Sequence, residues 1–151
     1  MEREGPRRWH RAVRRLAAAC CLSSVALAAI ADTEEGLAAV REQFRAAYAA
    51  AALGVETADH DALRAYVLYP YLRAARLDRA LERAQGSWNE TDDATAEFLA
   101  EAGDAPVALL LRRAWLFSLA RRASWEAFLA RYEAAAATPE LECHRLHAAL
   151  A

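Results

Sequence analysis

Apolar side chains recur at intervals of three and four residues through most of this chain, and this repeat limits the fold more than any other feature. The clearest example is a single helical stripe made by Leu37, Val40, Phe44, Ala47, Tyr48 and Ala51. Strand-type runs of Val, Ile and Thr are missing, whereas Ala and Arg, both strong helix formers, are abundant. The sequence therefore predicts an all-α fold.

Glycine and proline divide the repeat into short helices. We expect these to run from Glu34 to about Leu53, from Asp59 or Asp61 to Tyr69, from Pro70 to about Ala84, from about Thr91 to Ala102, from Pro106 to about Arg122, from Trp125 to Tyr132, and from Pro139 to Leu150. Short loops between successive helices are typical of antiparallel hairpins in a bundle or an α-solenoid.

Several local details follow from the same patterns. Asp104 and Ser124 each precede a helical run and are predicted to cap it, because short polar side chains accept hydrogen bonds from the first free N–H groups. The helix ending near Arg122 is apolar on more than one face and should be buried on several sides. Leu146 and Leu150 are expected to point inward from the last helix.

The first 31 residues have the pattern of a secretory signal peptide. Six arginines lie before position 16, an uncharged run of about 15 residues extends from Leu16 to Ile30, and Ala29-Ile30-Ala31 fits the small-residue cleavage rule. We considered a membrane anchor, but the run is shorter than the roughly 20 residues that a spanning helix needs. Twin-arginine and lipoprotein signals fit these residues less well. The prediction is cleavage before Asp32, a periplasmic product, and no stable membrane insertion afterwards.

The charge of the remaining chain excludes one class of partner. Residues 32–151 contain more acidic than basic side chains, although the whole chain has a formal net charge of only −2. Nonspecific nucleic-acid binding depends on a net basic surface. We therefore expect no nucleic acid among the partners.

The stretch Ala65-Tyr66-Val67-Leu68-Tyr69-Pro70-Tyr71-Leu72 resembles a signature near the N-terminus of soluble lytic murein transglycosylases. Phe98-Leu99, with Asp104 and Pro106 after it, is similar to the next short helix of that family. Leu111 to Tyr132, including Trp115 and Trp125, is similar to its following helix pair. The resemblance covers about Leu37 to the C-terminus, although Arg73 stands where the family has an acidic residue.

The resemblance implies a fold and a function. Residues 32–151 would be the N-terminal part of an α-superhelical U-domain, built from antiparallel helix hairpins. The full-length family cleaves peptidoglycan between N-acetylmuramic acid and N-acetylglucosamine, using a glutamate of a separate lysozyme-like domain whose Glu-Ser motif is absent from this sequence. This segment would then hold or support the substrate without being an enzyme by itself. The alternative is a standalone helical-repeat module that binds a periplasmic protein.

Other candidate residues are better explained by structure than by chemistry. Glu97, Glu101 and Glu126 lie in helical patterns and are expected to be exposed. Cys143, His144 and His147 have metal-ligand side chains, but nothing else completes a site. No catalytic residue, metal or cofactor is therefore assigned.

The aromatic residues are also assigned to packing. Trp115 and Trp125 keep helical spacing with other apolar residues and are predicted to pack in the core, whereas Trp88 lies in a loop. Asn89-Glu90-Thr91 matches a glycosylation acceptor, which we interpret as a turn and helix cap. Tyr69 and Tyr71 are expected to pack at the joint beside Pro70.

Overall fold

The computed structural model describes residues 34–151, and this part of the chain is helical without any strand, which confirms the all-α prediction. The helices are α1 (34–52), α2 (Asp61–Arg64), α3 (Tyr69–Arg83), α4 (Glu90–Ala102), α5 (Pro106–Arg121), α6 (Trp125–Arg131) and α7 (Pro139–Ala148), with a 3-10 turn at Ala134–Ala136. The chain divides into two compact units, residues 1–42 and 43–151. The predicted signal peptide, residues 1–31, lies outside the described residues.

Helix α5 occupies the centre of the second unit. It packs against α3 and α4 before it and against α6, the 3-10 turn and α7 after it. Helix α3 also packs on α4, and α6 packs on α7. From α3 onward, the main contacts of each helix are therefore with the next one or two elements along the chain.

The core follows this arrangement. The largest cluster of buried side chains connects α3 to α7 and includes Phe98, Trp115, Leu116, Leu119, Phe128 and Leu141, each no more than 1% exposed. A smaller cluster connects α1, α2 and α3 through Ala47, Ala51, Leu63 and Leu72. Buried residues of α5 lie on several of its faces, as its apolar sequence predicts.

The joint before α3 differs in detail from the sequence prediction. Helix α2 is a single turn that ends at Arg64, so Tyr66 and Val67 lie outside it. Only Leu63 of this turn is buried, whereas Val67 is 78% exposed. A second turn would gain little packing energy to offset the cost of ordering it. Helix α3 then begins with Pro70 in its first turn, where the missing N–H of proline does no harm.

Helix caps agree with the prediction at some positions and not at others. The cap predicted at Asn89 is confirmed, because its side chain accepts a 2.9 Å hydrogen bond from the Thr91 N–H at the start of α4. Thr138 caps α7, which begins at Pro139 as predicted. The predicted cap from Asp104 is wrong, because Ala105 occupies the cap position of α5. Ser124 does occupy the cap position of α6, but its side chain makes no capping hydrogen bond.

The last helix buries only one side. Leu141 is fully buried, whereas Leu146 is 57% and Leu150 is 91% exposed, so the prediction that both point inward is wrong. Among the described residues, α7 packs mainly on α6 and α5. Helical spacing alone cannot show how many sides of a helix have neighbours.

None of the helices within residues 34–151 combines the length and the apolar character needed to cross a membrane.

Candidate binding groove

One surface of the second unit contains a groove, here called the inner groove, that is lined by α1, α3, α5 and α7. Its first part has a volume of about 130 Å³ and is lined by Tyr48, Tyr71, Ala74, Ala75, Asp78, Val107, Leu110 and Leu111. Its second part has a volume of about 520 Å³ and is lined by Asp78, Leu81, Glu82, Ala114, Phe117, Ser118, Arg121, Glu140 and His144. Asp78 lines both parts, which are therefore adjacent.

The spacing of residues along α3 and α5 explains this shared lining. On α3, positions 71, 74, 75, 78, 81 and 82 lie on one face because they are three or four residues apart. The same spacing places Leu110, Ala114, Phe117 and Arg121 on the facing side of α5. Alanine at 74, 75 and 114 leaves the space that a larger side chain would fill.

The base of the second part is held by hydrogen bonds between α3 and α5. The Ser118 hydroxyl donates to the Leu81 carbonyl at 2.7 Å, and the Arg121 guanidinium donates to the same carbonyl at 2.7 Å. Leu81 lies near the end of α3, and its carbonyl also accepts a 3.2 Å hydrogen bond from the Ala84 N–H. The guanidinium of Arg121 is thereby fixed against the end of α3.

The carboxylates of the groove differ in their partners. Glu82 forms an ion pair with Arg79 on the same helix. Within the described residues, Asp78 and Glu140 neither accept a side-chain hydrogen bond nor form an ion pair. Partial desolvation by the surrounding protein and the nearby negative charge of Glu82 raise the pKa of Asp78. The groove thus presents two unpaired carboxylates among aromatic and aliphatic side chains.

Tyr69, one residue of the stretch that resembles the transglycosylase signature, belongs to a separate polar network. The Tyr69 hydroxyl donates to Asp59 at 2.8 Å, and the Arg76 guanidinium donates to both oxygens of Asp59 at 2.7 and 2.8 Å. Arg76 also reaches the Thr57 hydroxyl and carbonyl. The hydrogen bonds from Arg76 lower the pKa of Asp59 most, and the value is about 2. This network attaches the loop before α2 to α3, so Tyr69 does more than pack.

A buried ion pair holds α4 against α5. Arg122 contacts both oxygens of Asp92, at 2.6 and 3.0 Å, and the Trp115 indole N–H donates to Asp92 at 2.7 Å. The side chains of Asp92 and Arg122 are 0% and 4% exposed. Burial raises the pKa of Asp92, but hydrogen bonds from Arg122, Trp115 and the Asn89 N–H outweigh it, so the pKa is lowered. The relative position of α4 and α5 depends on this pair.

The three tryptophans among residues 34–151 lie at different depths. Trp115 is 1% exposed, which confirms its predicted place in the core. Trp125 is half-buried and contacts the rings of Phe128, His144 and His147. Trp88 is 39% exposed and packs beside Trp115, while the Arg131 guanidinium lies over both indole rings. None of these three tryptophans lines the inner groove.

The other candidate residues are not brought together. Glu97, Glu101 and Glu126 are exposed, as predicted, and Glu101 pairs with Arg73. His144 lines the inner groove. No group of three or more potential metal ligands occurs in the part of the chain that the structure describes.

The sequence reasoning missed the grouping of Asp78, Glu140 and Arg121. A signal for it does exist, because Asp78 interrupts the apolar stripe of α3. An acidic residue inside such a stripe indicates that this face is partly open.

Comparison with protein-family models, curated proteins and solved structures finds no match to this chain. The resemblance of residues 65–72 to lytic transglycosylases stays a prediction.

Proposed function

We propose that this chain is the N-terminal superhelical segment of a periplasmic soluble lytic murein transglycosylase. In this role it supports or holds peptidoglycan near a catalytic domain and does not cleave glycan strands by itself. The observation that carries the proposal is the order of helix packing. From α3 to α7, the main contacts join each helix to the next one or two elements along the chain.

That packing order is what an α-superhelix requires. In a helical solenoid, each hairpin buries its apolar face on the neighbouring hairpin, so contacts stay close along the sequence. Helices α3 and α5 pack against each other, and α4 packs against both. In the same way, α5 and α7 pack against each other, and α6 packs against both. The Tyr69-Pro70-Tyr71 joint lies at the start of this series, and Asp59 and Arg76 fix it there.

The surroundings of Glu97, Glu101 and Glu126 favour a role in holding the substrate over a role in cleaving it. A glutamate that acts as a general acid in glycoside cleavage needs a raised pKa, which an apolar pocket provides. Glu97, Glu101 and Glu126 are all exposed to water. They therefore lie outside the kind of apolar pocket in which such a general acid acts.

The purified chain should accordingly release no 1,6-anhydro-muropeptides from insoluble murein. The products would be separated by liquid chromatography and identified by mass. A parallel digestion with a known muramidase shows that the murein preparation can be cleaved. Release of anhydro products by the chain alone, and their loss in a glutamate variant, would contradict the non-catalytic part of the proposal.

A second candidate function is supported by the inner groove. An open, partly apolar groove on stacked helices is the kind of surface that repeat proteins use to bind extended partners. On this reading the chain is a helical-repeat module that binds a periplasmic protein.

A further inference from the structure

We propose that the inner groove binds an extended segment of a partner protein that presents lysine or arginine side chains between apolar ones. This proposal rests on the second candidate function and names the chemistry of its partner.

Charge complementarity is the first argument. Asp78 and Glu140 lie in the same part of the groove, and neither forms a side-chain hydrogen bond or a salt bridge among the described residues. The neighbouring Arg79 interacts with Asp78 only through its charge, and its guanidinium is paired with Glu82. Arg121 is the lining cation, but its guanidinium already donates to the Leu81 carbonyl and lies 3.3 Å from the Ser118 hydroxyl. The groove therefore keeps an excess of negative charge that a cationic side chain would neutralise.

The state of Asp78 adds to this argument. Its carboxylate is partly desolvated and lies near the negative charge of Glu82, and both effects raise its pKa. An ammonium or guanidinium group placed beside Asp78 would favour the ionised carboxylate and reverse that shift. Binding of a cation and ionisation of Asp78 are therefore expected to support each other.

The shape of the groove favours a segment of chain over a compact ligand. Its two parts meet at Asp78 and extend across four helices, from Tyr48 on α1 to His144 on α7. Apolar lining on both sides of the carboxylates, including Tyr71 and Phe117, provides contacts for the residues that flank a cation. A partner segment that alternates apolar and basic residues would match this arrangement of carboxylates between apolar side chains.

The proposal can be tested with a defined peptide and the full chain. The probe is a fluorescein-labelled peptide of three Gly-Leu-Lys-Ala repeats, and the matched probe carries glutamate at each lysine. Fluorescence anisotropy should show saturable binding of the lysine peptide and none of the glutamate peptide. Binding of the lysine peptide should weaken as sodium chloride is raised, because salt screens exposed charges.

A pair of variants locates the site. Asp78→Asn with Glu140→Gln removes the two unpaired groove carboxylates, whereas Glu97→Gln with Glu126→Gln removes two exposed carboxylates that do not line the groove. Exposed ion pairs contribute modestly, so the groove variant should bind the lysine peptide about fivefold more weakly. The control variant should bind it as the unmodified chain does.

Three results would overturn the proposal. The first is equal binding of the lysine and glutamate peptides to the unmodified chain, which needs no variant and so does not depend on how a variant folds. The second is equal loss of binding in the two variants. The third is binding of N-acetyl-lysine amide as tight as that of the peptide, which would make the ligand a small cation. These results leave the murein proposal untouched, because the murein digestion tests it separately.

Discussion

Replacing Arg122 with methionine should destabilise the second unit strongly. The substitution keeps an unbranched apolar stem but removes the guanidinium that pairs with Asp92. Asp92 is then left as a fully buried carboxylate whose remaining partners are the indole N–H of Trp115 and the Asn89 N–H. Breaking a buried ion pair by removing one partner costs about 3–5 kcal/mol, mostly because the other charge stays buried.

The other contacts of Arg122 keep the expected loss above the lower end of that range. Its guanidinium also donates to the Gly86 carbonyl at 3.1 Å and to the Ser118 carbonyl at 3.2 Å. The loop before α4 and the end of α5 therefore lose a hydrogen bond each, in addition to the ion pair. A loss of about 4 kcal/mol is a large part of the roughly 5–15 kcal/mol that stabilises a typical domain.

The assay is urea unfolding followed by circular dichroism at neutral pH. With a slope of about 2 kcal/mol per molar urea, the midpoint should fall by about 2 M. The matched control is Arg64→Met, because Arg64 pairs with Asp61 on the surface, where both side chains are more than half exposed. That pair should contribute less than about 1 kcal/mol.

The Asp92→Asn/Arg122→Met double variant completes the thermodynamic cycle. Because the double variant leaves no unpaired buried charge, it should lose less stability than the two single variants lose together. An Arg122→Met variant that unfolds within about 0.3 M urea of the Arg64→Met control would refute the reasoning.

Three further predictions concern stability. Asp59→Asn should lose stability relative to the unmodified chain above about pH 4, and the difference should shrink as the pH falls toward 2, because the pKa of Asp59 is about 2 when folded and near 3.9 when unfolded. Thermal melts at pH 7 and pH 3 check this, and a difference that does not change with pH would contradict it. Leu72→Ala should cost about 2–5 kcal/mol, since Leu72 is fully buried. Leu146→Ala should change stability by less than about 0.5 kcal/mol, since Leu146 is 57% exposed. Urea unfolding of the two leucine variants checks both values, and equal losses would disprove the burial argument.

The helices themselves could be predicted because their signals are local. The apolar spacing around Phe98 and Trp115 and the proline at position 106 each act within one or two turns. The turn and cap at Asn89 could also be predicted, since its capping box lies within four residues of sequence.

The polar contacts could not be predicted, since they join distant parts of the chain. The sequence pattern places Asp59 at the start of the second helix, but its carboxylate accepts hydrogen bonds from Tyr69 and Arg76, which are 10 and 17 residues away. Asp92 meets Arg122 across 30 residues. Helical periodicity does not predict either contact, because each contact depends on how the helices pack against one another.

The inner groove was missed for a related reason. Asp78 and Glu140 lie on α3 and α7, and only the packing of both helices beside α5 brings their carboxylates to one surface. Asp78 interrupts the apolar stripe of α3, but the sequence context of Glu140 is ordinary for an exposed helix position, so nothing in the sequence joins the two. The exposure of Leu146 has the same origin, because it depends on the number of neighbours around α7.

The intact mass of the native product in a periplasmic extract tests the central proposal most directly. If this chain is the N-terminal superhelical segment of a lytic transglycosylase, peptides from residues 32–151 should belong to a polypeptide much heavier than the 16.6 kDa of the sequence. The same heavy polypeptide should release anhydro-muropeptides from murein. A product whose mass equals that of residues 32–151 would contradict the transglycosylase proposal and leave the protein-binding module as the function to pursue.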